Sequence, residues 1–232
     1  MSDRDRLSAP DRRKILAHAL PMLLFTALLG LGSVLKTPGD TLWLAAPEFW
    51  IYPLQTLLCG GLLIYFRRDY EFQPLRRPLF TVGVALLVFL LWIAPQQFFR
   101  FPARLFGFNP DTFAAAPAQY WTTLALRFLR LVVIVPLVEE IFWRGFFLRI
   151  LIAEQFETLP FGTFSWLSFA FVTIAFGFSH SMADWPAAFL TGALYNFVAY
   201  RTKSLSSCVL AHGLTNLALG FWIVTTKQWG FW

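Results

Sequence analysis

The sequence predicts an all-α, polytopic membrane bundle of about seven or eight transmembrane helices. Three observations predict it. Hydrophobic residues make up 57% of the 232-residue chain and charged residues only 14%, against about 45–50% and about 25% in a soluble domain. Mean hydropathy is +0.59. Apolar runs near the length that crosses a bilayer core, about 20 residues, recur along the chain between short segments rich in Arg and Lys. With 27 Phe and 10 Trp besides, a soluble fold of this size has too little interior to hide the apolar surface. A disordered chain and an ordinary cytosolic enzyme are excluded.

Residues 1–14 are polar and read as a cytoplasmic N-terminal arm. The first span, 15–34, is longer than the ~7–15-residue core of a signal peptide and reads as a retained helix. Pro38-Gly39 breaks the chain after it. A second span, 50–66, stops at Arg67-Arg68, a charged loop covers 67–77, and a third span, 79–94, ends at Pro95. Residues 96–119 are aromatic and less apolar, which suits the membrane interface. Segment 15–119 thus forms an N-terminal set of helices and an interfacial segment. The C-terminal core, 120–232, contains a long helix over 120–152, a loop at 154–162, and spans at 164–180, 185–200 and 205–224, with Asp184 and Pro186 suited to a helix start.

Net charge is +6, but it follows the loops. Arg12-Arg13-Lys14, Arg67-Arg68, Arg76-Arg77 and Arg201/Lys203 all fall between apolar runs. This is the positive-inside pattern of a multi-pass cell (inner) membrane protein with a cytoplasmic N-terminus. No basic stripe with interleaved aromatics lies on a polar background, so nucleic acid is not an expected partner. Membrane lipids are. Cys59 and Cys208 lie in apolar runs and provide neither a disulfide framework nor metal-ligand spacing.

Ionisable groups inside a span are costly and point to function. They gather in Val138-Glu139-Glu140-Ile141-Phe142-Trp143-Arg144, in Phe176-Gly177-Phe178-Ser179-His180 and in His212-Gly213-Leu214-Thr215-Asn216. Glu140 and Arg144 are spaced i, i+4, the carboxylate N-terminal, which favours an ion pair. Glu139 is turned about 100° away and is free to face another cavity. One carboxylate is then structural and the other a base. Pro136 frees a backbone carbonyl just ahead of them. His212 and Asn216 also share a face and offer two donors to one oxygen, as an oxyanion hole requires. Phe176 sits one turn before His180 and packs under its ring. Gly145, Gly177 and Gly213 let helices approach closely. His18, near the start of the first span, reads as an interfacial residue without a catalytic role. Any one of these polar groups also suits interhelical glue.

The ordered set Glu139-Glu140-x-x-x-Arg144, Phe176-x-x-x-His180 and His212-x-x-x-Asn216 resembles the three motifs of the CAAX-protease and bacteriocin-processing family. These are glutamate-type intramembrane proteases that include the Ras-converting CAAX endopeptidase. Residues 200–205 resemble the family's linker, and the resemblance covers about 131–220 of the chain. The remainder is similar to the bacterial branch associated with PEP-CTERM and exosortase systems. The resemblance implies that 120–232 is a catalytic core and that the substrate is a peptide or protein presented at the membrane. It implies Glu139 as general base on a water and His180 as its partner, which also protonates the leaving amine. His212 and Asn216 are implied as oxyanion donors, with Glu140 and Arg144 in support. It implies no cofactor and no covalent intermediate, and Ser179 faces away from its neighbour His180.

Other readings stay open at this level. Glu139, His180 and His212 form a plausible zinc set, though no HExxH is present. A non-catalytic scaffold or immunity factor of the same fold is another. A transporter lacks the expected inverted pair of broken helices. The catalytic reading places the cavity between the fourth, fifth and last helices. Because His180 lies near the outer end of its span, it requires a tilted fifth helix, a later start to that helix, or a deep cavity.

Overall fold

A computed structural model describes residues 11–39, 41–101, 104 and 107–232. Residues 1–10 of the expected arm, and four positions of the expected interfacial segment, lie outside them. The described residues form a helical bundle without strands: α1 Arg12–Leu35, the single turn α2 Leu42–Ala45, α3 Glu48–Tyr65, α4 Pro78–Phe98, α5 Pro117–Ile150, α6 Trp166–Phe178, α7 Trp185–Thr202 and α8 Leu205–Thr226. Every apolar run has become a helix. Four of them, α1, α4, α5 and α8, are long and apolar enough to cross a membrane. The outer surface is greasy: Leu79 is 88% exposed, and Leu57, Ile64, Leu86 and Leu90 also face outward. This is an apolar exterior far larger than soluble monomers carry. The chain is a polytopic membrane protein.

Helix limits follow local chemistry. The Asp11 side chain accepts from Arg13 N–H at 2.9 Å, so α1 starts inside the basic cluster rather than at residue 15. Pro78 opens α4 at its first turn, where a missing N–H costs nothing. Pro95 does not end α4, contrary to expectation. It sits one turn from the end, where the helix closes at Phe98 and the Pro95 carbonyl takes Phe101 N–H at 3.0 Å. Lys203 ends α7 in the left-handed region, with φ 52°, and the Ser204 hydroxyl caps α8 through Ser207 N–H at 3.2 Å.

The N-terminus, the loops at 67–77 and 154–162 and the turn between α7 and α8 meet at one end of the bundle. Arg13 pairs with Asp69 at 3.0 Å, and Asp11 N–H reaches Glu157 at 3.2 Å. Ser204 Oγ donates to the Gln73 carbonyl at 3.1 Å, and Lys203 Nζ donates to the Gly162 carbonyl. The other end is closed by Lys36–Glu48 at 3.2 Å, Arg104–Asp184 and Lys227–Asp111 at 3.3 Å. Part of the expected interfacial segment packs inward here. Phe108 is buried and rests on Phe49, Tyr52 and Trp232.

Candidate active site

The acidic pair sits on a stretch of α5 bracketed by irregular helix. Arg130–Ile134 and Ile141–Phe147 are wound as π-helix, and Val135–Glu140 between them is α-helical. Such segments recur at functional sites. Pro136 explains the first one. In π winding the Leu131 carbonyl would accept from residue 136, which has no N–H. Asn216 Nδ2 fills that position and donates to Leu131 O at 2.8 Å. The backbones of α5 and α8 also touch closely: a Cβ on Gly213 would lie 2.9 Å from Val132 O. Proline, glycine and amide together join the two helices beside the carboxylates.

Glu140 faces the interior. Its Oε1 accepts from Arg144 Nη1 at 3.0 Å and from His212 Nδ1 at 2.8 Å. Arg144 is 1% exposed and fully engaged. Its Nε donates to Asn196 Oδ1 at 3.1 Å, its Nη2 to Gly192 O at 3.2 Å, and its guanidinium stacks on Phe176 and Tyr195. Asn196 Nδ2 continues the chain to Thr173 Oγ1 at 3.1 Å. Each guanidinium nitrogen of the buried pair thus has a partner, as burial requires, while Glu140 Oε2 has none among the described residues.

Glu139 turns the other way, into a cavity of about 240 Å³ lined also by His180, His212 and Asn216. Glu139 Oε2 is buried and has no hydrogen-bond partner among the described residues. His180 Nδ1 lies 2.8 Å from Phe176 O. A carbonyl only accepts, so Nδ1 carries the proton and Nε2 has the lone pair. The Phe176 ring lies 4.7 Å from His180 and Trp92 5.6 Å, between centroids. The ring is thereby held at the end of α6. In His212 the Glu140 contact fixes Nδ1 as the donor, which leaves Nε2 for the cavity.

Of the six residues singled out from the sequence, Glu139, His180, His212 and Asn216 line one cavity, and Glu140 and Arg144 brace it from behind. Depth is reconciled by a short helix and a deep cavity. α6 has 13 residues, so His180 reaches the space above Glu139, and the cavity runs from His212 up to Asp184 and Trp232. Gly145, Gly177 and Gly213 do mark close approaches, to His18, Phe189 and Val132 respectively. Three expectations need correction. Ser179 does not face away from His180, since its Oγ lies 3.3 Å from His180 Nδ1. The cavity is not built from the fourth, fifth and last helices alone: α7 supplies Thr191 and Tyr195 and, behind them, Asn196. His18 is not interfacial but buried at 3% exposure against Phe156 and Tyr70, with Nδ1 2.8 Å from Lys14 O. The intramembrane amide Asn196 was the available signal for α7. Thr191, Thr215 and Tyr195 gave none, because such residues are common in any helix. Among the described residues no three His, Cys, Asp or Glu side chains are grouped closely enough to hold a metal ion.

The fold and cavity define a membrane protein with a hydrolase-like polar site. Residues 119–218 match the model of the family described as type II CAAX prenyl endopeptidase Rce1-like. The match contains all six residues above. No curated protein and no solved structure matches the chain.

Proposed function

We propose that the chain is an intramembrane endopeptidase that hydrolyses a peptide bond of a membrane-associated or lipidated substrate with a water activated by Glu139 and His180. The single observation that carries this reading is the cavity. An unpartnered carboxylate oxygen, an imidazole with a free Nε2 and an amide share one small space inside a membrane bundle. The match of residues 119–218 to an Rce1-like peptidase family supports it.

In the proposed reaction Glu139 takes a proton from water as its oxygen adds to the scissile carbonyl. His180 Nε2 orients that water through its lone pair, takes the proton over from Glu139 and passes it to the leaving amine as the C–N bond breaks, so that Glu139 is ionised again. The tetrahedral oxyanion is met by the second Asn216 N–H and by His212. For His212 to donate from Nε2 while Nδ1–H is held by Glu140, the ring carries both protons, with Glu140 as counter-charge. Glu140 and Arg144 position the ring and take no part in proton transfer. No cofactor enters the scheme, and the residues that would form a zinc set are instead given these separate roles.

We also propose a cell-membrane location with the N-terminus in the cytoplasm. The bundle end that gathers Arg12, Arg67, Arg76 and Lys203 is then cytoplasmic. The cavity is lined at its mouth by Asp184, Phe231 and Trp232, which belong to the opposite end, so substrate enters from the non-cytoplasmic side. Comparison of membrane and secreted proteins from cells carrying wild type or Glu139→Gln tests the function. A substrate accumulates uncleaved in the variant if the reading holds, and identical profiles overturn it.

A further inference from the structure

Two arginines line the same cavity and have no part in the hydrolytic scheme. Arg127 and Arg130 lie on α5, three residues apart, on the outer side of Glu139. Each is 4% exposed. Neither has an ion pair within 4.0 Å among the described residues. Arg130 Nε donates to Gln55 Oε1 at 2.9 Å, but Nε and Nη1 of Arg127 are buried without a hydrogen-bond partner. Aromatic faces hold both guanidiniums: Tyr52 lies 4.7 Å from Arg127 and 4.1 Å from Arg130, with Phe108 and Trp232 over Arg127. Stacking steadies a cation but does not use its in-plane N–H groups. The other acid of the cavity is committed, since Asp184 pairs with Arg104 and Ser181.

Two buried guanidiniums without an ion-pair partner are costly in a membrane bundle, even with the Glu139 carboxylate in the same cavity. The cost is offset when a ligand brings the charge. We infer that Arg127 and Arg130 form a carboxylate-binding subsite that seats an acidic group of the peptide substrate, either its C-terminal carboxylate or an Asp or Glu side chain. Planar guanidiniums match a carboxylate with two parallel hydrogen bonds. Position favours a peptide group over a lipid headgroup, because the pair sits in the cavity that holds Glu139, beneath Phe108 and Trp232. Arg130 and Glu139 line the same cavity, so a carboxylate held by the arginines sets which bond faces Glu139. This inference rests on the peptidase reading, and its test is a binding measurement that needs no turnover.

The full chain carrying Glu139→Gln is reconstituted in phosphatidylcholine nanodiscs. Energy transfer from its tryptophans reports binding of three probes: dansyl-tetraalanine acid, its C-terminal amide, and the amide with one Ala replaced by Glu. At least tenfold tighter binding of the acid, or of the Glu-containing amide, than of the plain amide is expected, and the stronger of the two identifies the source of the carboxylate. Adding Arg127→Gln and Arg130→Gln brings that probe to the level of the plain amide. Arg127→Lys, which retains the charge but not the planar fork, loses part of the preference and serves if the double variant fails to fold. Equal binding of all three probes, no binding, or a preference that persists without the arginines overturns the inference. Arginine-dependent binding of phosphatidylglycerol with no preference among the peptides assigns the pair to a lipid and overturns it too. An intact acid preference together with no cleavage by the chain that retains Glu139 contradicts the hydrolytic scheme instead.

Discussion

One oxygen of Glu140 is shared by Arg144 on its own helix, at 3.0 Å, and by His212 on α8, at 2.8 Å. Adjacent carboxylates thus have different surroundings: Glu140 is sealed with Oε1 held by two partners, while Glu139 lines the cavity, and Oε2 of each is buried without a hydrogen-bond partner among the described residues. Substitution should separate them. Glu140→Gln leaves Arg144 buried without its counter-charge and costs about 3–5 kcal/mol, read as a large fall in unfolding temperature in detergent. Glu139→Gln keeps the unfolding temperature near wild type and lowers turnover by about 10²–10⁴-fold. Equal destabilisation by both would contradict the division of roles.

In the proposed scheme the two amide hydrogens of Asn216 have different tasks: one is held by Leu131 O at 2.8 Å and the other meets the oxyanion. Asn216→Ala exposes the Leu131 carbonyl and removes an oxyanion donor, so kcat falls by about 10²–10³-fold with little change in KM. A variant that raises KM alone would show that the amide binds substrate and does not act on the oxyanion.

Close contact of α5 and α8 at Gly213 predicts intolerance of any side chain there. A Cβ would meet Val132 O at 2.9 Å, with Pro136 behind it. Gly213→Ala should cost about 1–3 kcal/mol, and Gly213→Val more. Thermal unfolding of the purified variants checks the order.

Sidedness is open to direct chemistry because both native cysteines, Cys59 and Cys208, are buried at 0% exposure. Ser181→Cys, exposed at the bundle end beside Asp184, should react with an impermeant maleimide in right-side-out vesicles. Arg68→Cys, exposed at the basic end, should react only in inverted ones. The reverse pattern would place the cavity mouth in the cytoplasm.

Hydropathy made the helices legible, since each apolar run had to be satisfied by its own backbone hydrogen bonds. Spacing made the site legible: i, i+4 pairs on α5 and α8 place Glu140 with Arg144 and His212 with Asn216 wherever the helices pack. Other features depend on tertiary contact. The π winding around Pro136 is held by Asn216 from another helix, and no local pattern carries that. Tyr195 and Thr191 matter only because α7 packs against α6 and α4, with Trp92 donating to Thr191 at 3.0 Å. Arg127 and Arg130 were visible as intramembrane charges, but their lack of a partner shows only in three dimensions.

Incorporation of solvent oxygen tests the central claim most directly. Wild-type protein in nanodiscs is incubated with a peptide digest of membrane and secreted proteins in ¹⁸O-labelled water, and new peptide ends are read by mass spectrometry. Direct attack by water at Glu139 predicts one ¹⁸O in each new carboxyl group, unchanged by chelators, and no new ends with Glu139→Gln. Absence of new ends with wild type, or the same ends with Glu139→Gln, would contradict it.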